Sequence, residues 1–267
     1  MKPKGPGLGN LSSRFFAYTQ LKKLDIIRTG EIAPILDISA SQETDLFRRL
    51  SDSGWILRLK RGVYLVPPRI PAGGKYSPGA ALILQKLMEV ENGRYQICGP
   101  TAFNFYNLDD QVPSVTYLYN NRISGKRSIG SLAFQFIKVA DERMGSINTV
   151  RTREGMEVLY ASKARTLMDA VYDWSRFNGL PRGYEWIKET IKNEAKLASK
   201  LIEVTAKYGN MATIRRIGYL LDTLVSDPKM MNRLQRQLST SNSMVPWIPG
   251  RSAKGTSNRK WGIIVNG

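Results

Sequence analysis

Apolar positions in the first seventy residues recur three times at helical spacing and then alternate, which predicts three short helices followed by a β-hairpin. The first helix is expected to begin after Ser12 or Ser13, either of which can cap it. It should run to about Ile27 with Ala17, Leu21 and Leu24 on one face. Thr29 is placed to cap a short second helix carrying Ile32, Ile35 and Leu36, where Pro34 is tolerated because it falls in or near the first turn. The third helix is expected over roughly 41–53. Ser39 and Gln42 have capping-box spacing ahead of it, Leu46, Phe47 and Leu50 bury one face, and Asp45, Arg48 and Arg49 are left on the others. Gly54 stands where a helix ends through a residue of positive φ. In the hairpin, Leu57 and Leu59 point one way and Arg58 and Lys60 the other; Gly62 supplies the turn and Val63 to Val66 return.

Pro67 and Pro68 stop that strand, and the run RIPAGGK reads as a linker. Beyond it the pattern predicts an apolar helix at about 78–90 and short strands at 95–98, 116–119, 132–139 and 156–160. The last third is helical, over about 163–174, 184–207 with one break, and 213–225. From 239 the chain is rich in Ser, Asn, Gly and Pro, the composition of a disordered segment, yet it finishes on KWGIIVN, which has a strand pattern. The expected class is α+β. A winged helix-turn-helix occupies 1–68, a linker 69–75, and a mixed α+β domain 76–267 that ends in helices and a short closing strand.

Charge sharpens this picture. The chain carries 40 Lys+Arg against 22 Asp+Glu, a net +18. The excess is concentrated at the two ends, with net +6 over 1–70, +4 over 71–199 and +8 over 200–267, and no acid follows Asp227. A fold built to enter a DNA groove on so basic a chain makes double-stranded DNA the first partner to expect. In a helix-turn-helix the exposed residues early in the third helix reach base edges, here Ser41, Gln42 and Thr44, with Arg48 and Arg49 further along. Arg and Gln suit guanine and adenine edges, while Arg58, Lys60 and Arg61 on the wing suit phosphate. Glu43, Asp45 and Asp52 on the same helix oppose phosphate. The alternative is a winged helix used for protein interaction, with a solvated charged face.

Other chemistry is sparsely represented. There is no histidine, which removes the commonest general base and metal ligand, and a single cysteine, Cys98, which rules out an intrachain disulfide. A zinc site and a serine hydrolase of the usual form are therefore not expected, and neither a metal nor a cofactor is predicted. No Asp-x-Asp pair follows Gly130–Ser131 or Gly145–Ser146, as a nucleotidyltransferase would need. Glu194–Lys196 and Asp227–Lys229 match a nuclease spelling without a partner carboxylate. PGLGN and PAGGK lack the context of a phosphate loop. Arg165, Asp169 and Asp173 follow each other at i, i+4, which reads as a salt-bridged helix face worth a few tenths of a kcal/mol rather than as an active site. The opening MKPKGPGLGN has no apolar core of a secretory signal, and the longest apolar run, AALIL, is far short of a membrane span, so a cytoplasmic protein with no membrane partner is expected.

The segment TGEIAPILDIS followed by LFRRLSDSGWILRLKRGVYLVP resembles the N-terminal winged helix of AbiEi-type antitoxins, from type IV toxin–antitoxin and abortive-infection systems. YQICGPTAFNFYNL, YASKARTLMDAVYD, TIRRIGYLLDTL and RKWGIIVNG are similar, in that order, to later segments of the same family. The resemblance implies a non-enzymatic repressor that binds inverted repeats in its own promoter and neutralises a cognate nucleotidyltransferase-like toxin, directly or indirectly. It maps Arg48, Arg49, Arg58, Lys60 and Arg61 onto basic positions of the third helix and wing. Two other classes remain open: a nuclease-like enzyme targeted by the winged helix, and a regulator sensing a ligand in its second domain.

Overall fold

A computed structural model describes residues 9–71, 73–225, 227–238 and 243–266. Most of the basic opening run, residue 72 of the linker and the start of the Ser/Asn-rich tail at 239–242 lie outside the described residues. The chain divides into two compact units, one holding residues up to 93 with 126–134, the other 94–125 with 135 onward.

In the first unit α1 (Asn10–Leu21) starts after Gly9, with no side-chain cap. It ends six residues earlier than the pattern predicts, because Lys23 takes a left-handed conformation (φ 53°) and the chain turns into a strand, β1 (Ile26–Arg28). The buried face also differs. Phe15, Phe16 and Thr19 are inside, whereas Ala17 is exposed and Leu21 is 79 % exposed. The large aromatic pair outcompetes the smaller apolar residues for the core. A single turn, α2 (Ala33–Leu36), follows with Pro34 in its first turn, as expected. Then α3 (Ala40–Asp52) begins at a complete Ser39–Gln42 capping box and gives way to Gly54 at φ 75°. Strands β2 (Leu57–Lys60) and β3 (Val63–Leu65) form the hairpin through Gly62, at φ 71°. β3 is central in an antiparallel sheet of order β1-β3-β2. Phe15 packs edge-on against Phe16 and Phe47 at centroid distances of 5.1 and 5.9 Å. Around them Ile27, Ile32, Leu36, Leu46, Leu50, Ile56 and Val66 close one core. The apolar helix α4 (Ala80–Val90), with Ile83, Leu84, Leu87 and Met88 buried, belongs to this unit by its contacts.

The second unit is built on β4 (Tyr95–Ile97), β5 (Thr116–Asn120), β8 (Ile147–Arg151) and β9 (Glu157–Ala161). β4 pairs antiparallel with β5 and parallel with β9, and β8 closes the edge antiparallel to β9. β7 (Leu132–Lys138) lies beyond β5 in the strand order, paired with β6 (Gly125–Ile129), so that residues 126–134 of this hairpin count with the first unit. A short helix, α5 (Gly99–Phe105), follows β4. The helical part comprises α6 (Lys163–Tyr172), α7 (Trp174–Phe177), α8 (Arg182–Asn193), α9 (Leu197–Tyr208), α10 (Met211–Asp222) and α11 (Pro228–Gln235). The expected long helix over 184–207 is indeed broken, between α8 and α9.

The tail corrects the expectation of disorder where it is described. β10 (Val245–Pro246), β12 (Ile263–Val265) and β11 (Thr256–Asn258) make a small sheet in that order. Trp261 is fully buried against α10, so close that a Cβ on Gly218 would sit 2.1 Å from its ring. One large apolar side chain anchors a segment whose average composition is polar. Among the described residues no helix is long and apolar enough to cross a membrane.

Candidate nucleic-acid interface

The geometry of α3 is set by its ends and its inner face. Ser39 Oγ accepts from the Gln42 amide (3.2 Å), and Gln42 Oε1 accepts from the Ser39 amide (2.8 Å). Gln42 therefore commits its carbonyl oxygen to the cap and keeps only its NH2 group free to turn outward. Ser41 and Thr44 are exposed, with the Thr44 hydroxyl donating back to the Ala40 carbonyl at 2.9 Å. Arg48 is exposed and paired with Asp45 at 3.0 Å, with both side chains more than half in solvent. Such a pair contributes little to stability and can open towards a phosphate or base. Arg49 is exposed too, its Nε donating to the Asp45 carbonyl (3.3 Å). The five predicted positions on this helix are thus all solvent-facing.

Glu43 is the correction. Instead of opposing phosphate, it is fully buried. Its Oε2 accepts from the Gly30 amide (2.7 Å), and Oε1 accepts from the amides of Ile32 (2.7 Å) and Ala33 (3.0 Å). The amides of Ile32 and Ala33 are orphan donors at the start of α2, which carries no side-chain cap of its own; the expected cap, Thr29, does not fill that role. A carboxylate reaching from α3 does, and so locks α3 against α2. The signal was present in the sequence: Glu43 extends the Leu46, Phe47, Leu50 stripe by one turn. Removing its negative charge from the outward face leaves Asp45 and Asp52 as the acids exposed on α3.

On the hairpin, Arg58 and Arg61 are exposed and have no ion-pair partner among the described residues. Lys60 is half-buried, its Nζ 3.0 Å from the Glu91 carboxylate just after α4, and the strand register shifts between Arg58 and Lys60. The three hairpin cations are therefore not equivalent. Tyr64 on β3 packs at a tilt against Phe47 of α3, with ring centres 4.8 Å apart, which ties hairpin and helix into one body. Lys126, exposed, and Arg127 add to the basic charge of the first unit. Their distance along the chain hid them from a reading of the first seventy residues.

The Arg165–Asp169–Asp173 series is not a solvated helix face, and the estimate of a few tenths of a kcal/mol does not apply to it. Arg165 and Asp169 are fully buried, with Arg165 Nε 2.9 and 3.0 Å from the two carboxylate oxygens. The Arg165 guanidinium also donates to the Arg143 carbonyl (2.8 Å) and lies 4.4 Å from the Tyr208 ring centre. Arg143 sits 3.7 Å from both Asp169 and Asp173 and stacks on Tyr172 at 3.5 Å. Tyr119 donates its hydroxyl to Asp173. Burial pushes the Asp169 carboxyl up against the pull of Arg165 and Arg143. Burial, with the charges of Asp169, Cys98 and Asp173, also lifts the Tyr119 phenol well above its ordinary value. Every partner is satisfied within the unit, which is the pattern of a structural network. Glu194 is ion-paired with Lys163, and the Asp227 carboxylate accepts from the Lys229 amide at the start of α11, so each acid of the nuclease-like spellings has a structural partner.

Residues 19–67 match the family described as "Transcriptional regulator, AbiEi antitoxin". The fold is similar to the crystal structure of the RV2827C protein from Mycobacterium tuberculosis, with a TM-score of 0.56 over 97 % of this chain and 92 % of that one, at 13 % identity. No curated protein matches the sequence.

Proposed function

Taking residues 19–67 as the regulator segment of an AbiEi-type antitoxin, we propose that this chain represses its own promoter and neutralises a cognate nucleotidyltransferase-like toxin. The first unit is a winged helix-turn-helix in which α3 enters the major groove and the β2–β3 hairpin is the wing. The observation that carries the reading is the division of α3 into two faces. Ser41, Gln42, Thr44, Arg48 and Arg49 face solvent, while Glu43, Leu46, Phe47 and Leu50 hold the helix in place from behind. Arg48, and the NH2 group of Gln42, reach base edges; Arg58 and Arg61 hold the backbone, with Lys60 a lesser contributor because Glu91 already engages it. The protein catalyses nothing in this reading and works in the cytoplasm as a DNA-bound repressor on inverted repeats. The second unit carries the antitoxin role, acting on the toxin directly or indirectly.

The test joins both roles. The full chain is titrated against its own promoter in excess competitor DNA, and is co-expressed with the adjacent gene in cells. Promoter binding together with relief of growth arrest is expected. Promoter binding without relief removes the antitoxin role, and relief without promoter binding removes the repressor role.

A further inference from the structure

The second unit holds a half-open cavity of about 580 Å³ between α9, the start of α6 and β8. That volume falls in the range of small-molecule sites. Its lining combines three kinds of group. Lys200 and Lys207 on α9 are exposed and make no ion pair among the described residues, and Lys163, paired with Glu194, stands at the same mouth. Hydroxyls converge on the floor: Ser146 and Ser162 share a hydrogen bond of 2.7 Å, and beside them the first-turn amides of Lys163 and Ala164 have no helical carbonyl to bond. The remaining wall is apolar and aromatic, formed by Tyr106, Leu197, Val204 and Tyr208. The floor is rigid, because Ser162 caps Arg165 of the buried network and Arg165 packs on Tyr208.

We propose that this cavity binds a nucleoside monophosphate. The phosphate lies at Lys200, Lys207 and the α6 amides, where cations, hydroxyls and unpaired N–H groups meet. The nucleoside lies against Tyr106, Leu197 and Val204. Glu203, the carboxylate of the lining, stands between the two lysines on α9 and accepts from ribose hydroxyls. A bare phosphate would gain nothing from the apolar wall and would be repelled by Glu203; a nucleoside without phosphate would leave the lysines unused. The inference is independent of DNA reading by α3, and it gives the second unit a ligand to which toxin neutralisation or repression can respond.

The experiment is calorimetric titration of the full chain with each of the four nucleoside 5′-monophosphates, with the matching nucleosides and with inorganic phosphate. At least one monophosphate should saturate the protein, with its nucleoside and free phosphate each weaker by roughly tenfold or more, the scale of a lost charged contact. The variant Lys200→Ala/Lys207→Ala should lose a similar factor and keep the wild-type thermal unfolding, since both side chains are exposed. Wild-type affinity in that variant, phosphate binding as tight as any nucleotide, or no saturable binding by millimolar monophosphate would each overturn the proposal. A promoter duplex that competes with the monophosphate, and itself binds the double variant more weakly, would reassign the cavity to nucleic acid and overturn it too.

Discussion

Glu43→Ala removes one side chain and exposes the logic of the first unit. The carboxylate accepts three backbone N–H groups, two at 2.7 Å and one at 3.0 Å. The three do not suffer equally when it is gone. Gly30 is exposed, so water replaces the bond to its amide; Ala33 is half-buried and is partly rehydrated; Ile32 is buried and its amide is left unpaired. An unsatisfied buried donor costs about 1–3 kcal/mol, and adding a fraction for Ala33 gives a loss of about 2–4 kcal/mol. That is a large part of the roughly 5–15 kcal/mol by which a domain is stable. Glu43→Gln keeps one acceptor oxygen for Ile32 and Ala33 and turns its NH2 towards the exposed Gly30 amide. It should therefore cost only about 1 kcal/mol. Urea unfolding of a segment such as residues 9–93 risks leaving out 126–134, so the full chain is used with all its tryptophans in place, and the first unit is followed by hydrogen exchange of its own amides as urea is raised. The expected order is wild type, then Gln, then Ala, with equal m-values. Both variants within about 0.5 kcal/mol of wild type, the range of an ordinary surface change, would refute the clamp.

Arg165→Met leaves Asp169 buried with only Arg143, at 3.7 Å, to balance it, and should destabilise the second unit by about 3–5 kcal/mol. In the double variant Arg165→Met/Asp169→Leu much of that loss should return in urea unfolding, because the uncompensated charge is gone. Changing Arg58 and Arg61 to Ala should lower the slope of log affinity against log salt by about two, whereas Lys60→Ala should change it by clearly less than one, since Glu91 holds that ammonium. Equal effects from all three would contradict the assignment of Lys60. The Tyr76 phenol is pushed up to about 12, by burial first and then by the charge of Asp25, with Lys86 opposing. The folded state holds this proton after the unfolded chain has lost it, so the stability Tyr76 contributes is intact below about pH 10 and is lost as pH rises towards 12. Tyr76→Phe should flatten that alkaline decline in unfolding curves measured from pH 9 to 12.

What the sequence disclosed follows from how local each signal is. The Ser39–Gln42 capping box, Gly54 and Gly62 each act within a few residues, and the structure has all three where the pattern predicts them. The end of α1 was misplaced because Leu24 and Ile27 keep helical spacing while belonging to a turn and a strand. Glu43, Arg165 and Asp169 were read as surface charges because the groups that enclose them come from elsewhere in the chain: amides ahead of α3 in one case, and Arg143 and Tyr208 around the local Arg165–Asp169 pair in the other. In the fold Ala164 to Val171 is buried throughout, which the Arg, Thr and Asp of that segment do not announce. The strand pattern of KWGIIVN is found as β12, whereas the stretch ahead of it was read by average composition, which does not show that it is held by pairing with β12 beside the buried Trp261 and Ile263. Of the eight positions expected to meet DNA, seven are exposed and Lys60 is half-buried, and neither the engagement of Gln42 in a cap nor that of Lys60 with Glu91 is visible in a linear pattern.

The central claim is that the outward face of α3 reads a DNA sequence. It is tested most directly by fluorescence anisotropy of the chain on its own promoter fragment and on a scrambled fragment of the same length, at physiological salt. The ratio of the two affinities should be about 10³ or more in the wild type. It should fall by about 1–3 kcal/mol in Arg48→Ala, through loss on the promoter alone. Equal affinity for the two fragments, or an equal loss on both in the variant, would contradict it and leave α3 as a phosphate-binding helix without sequence preference.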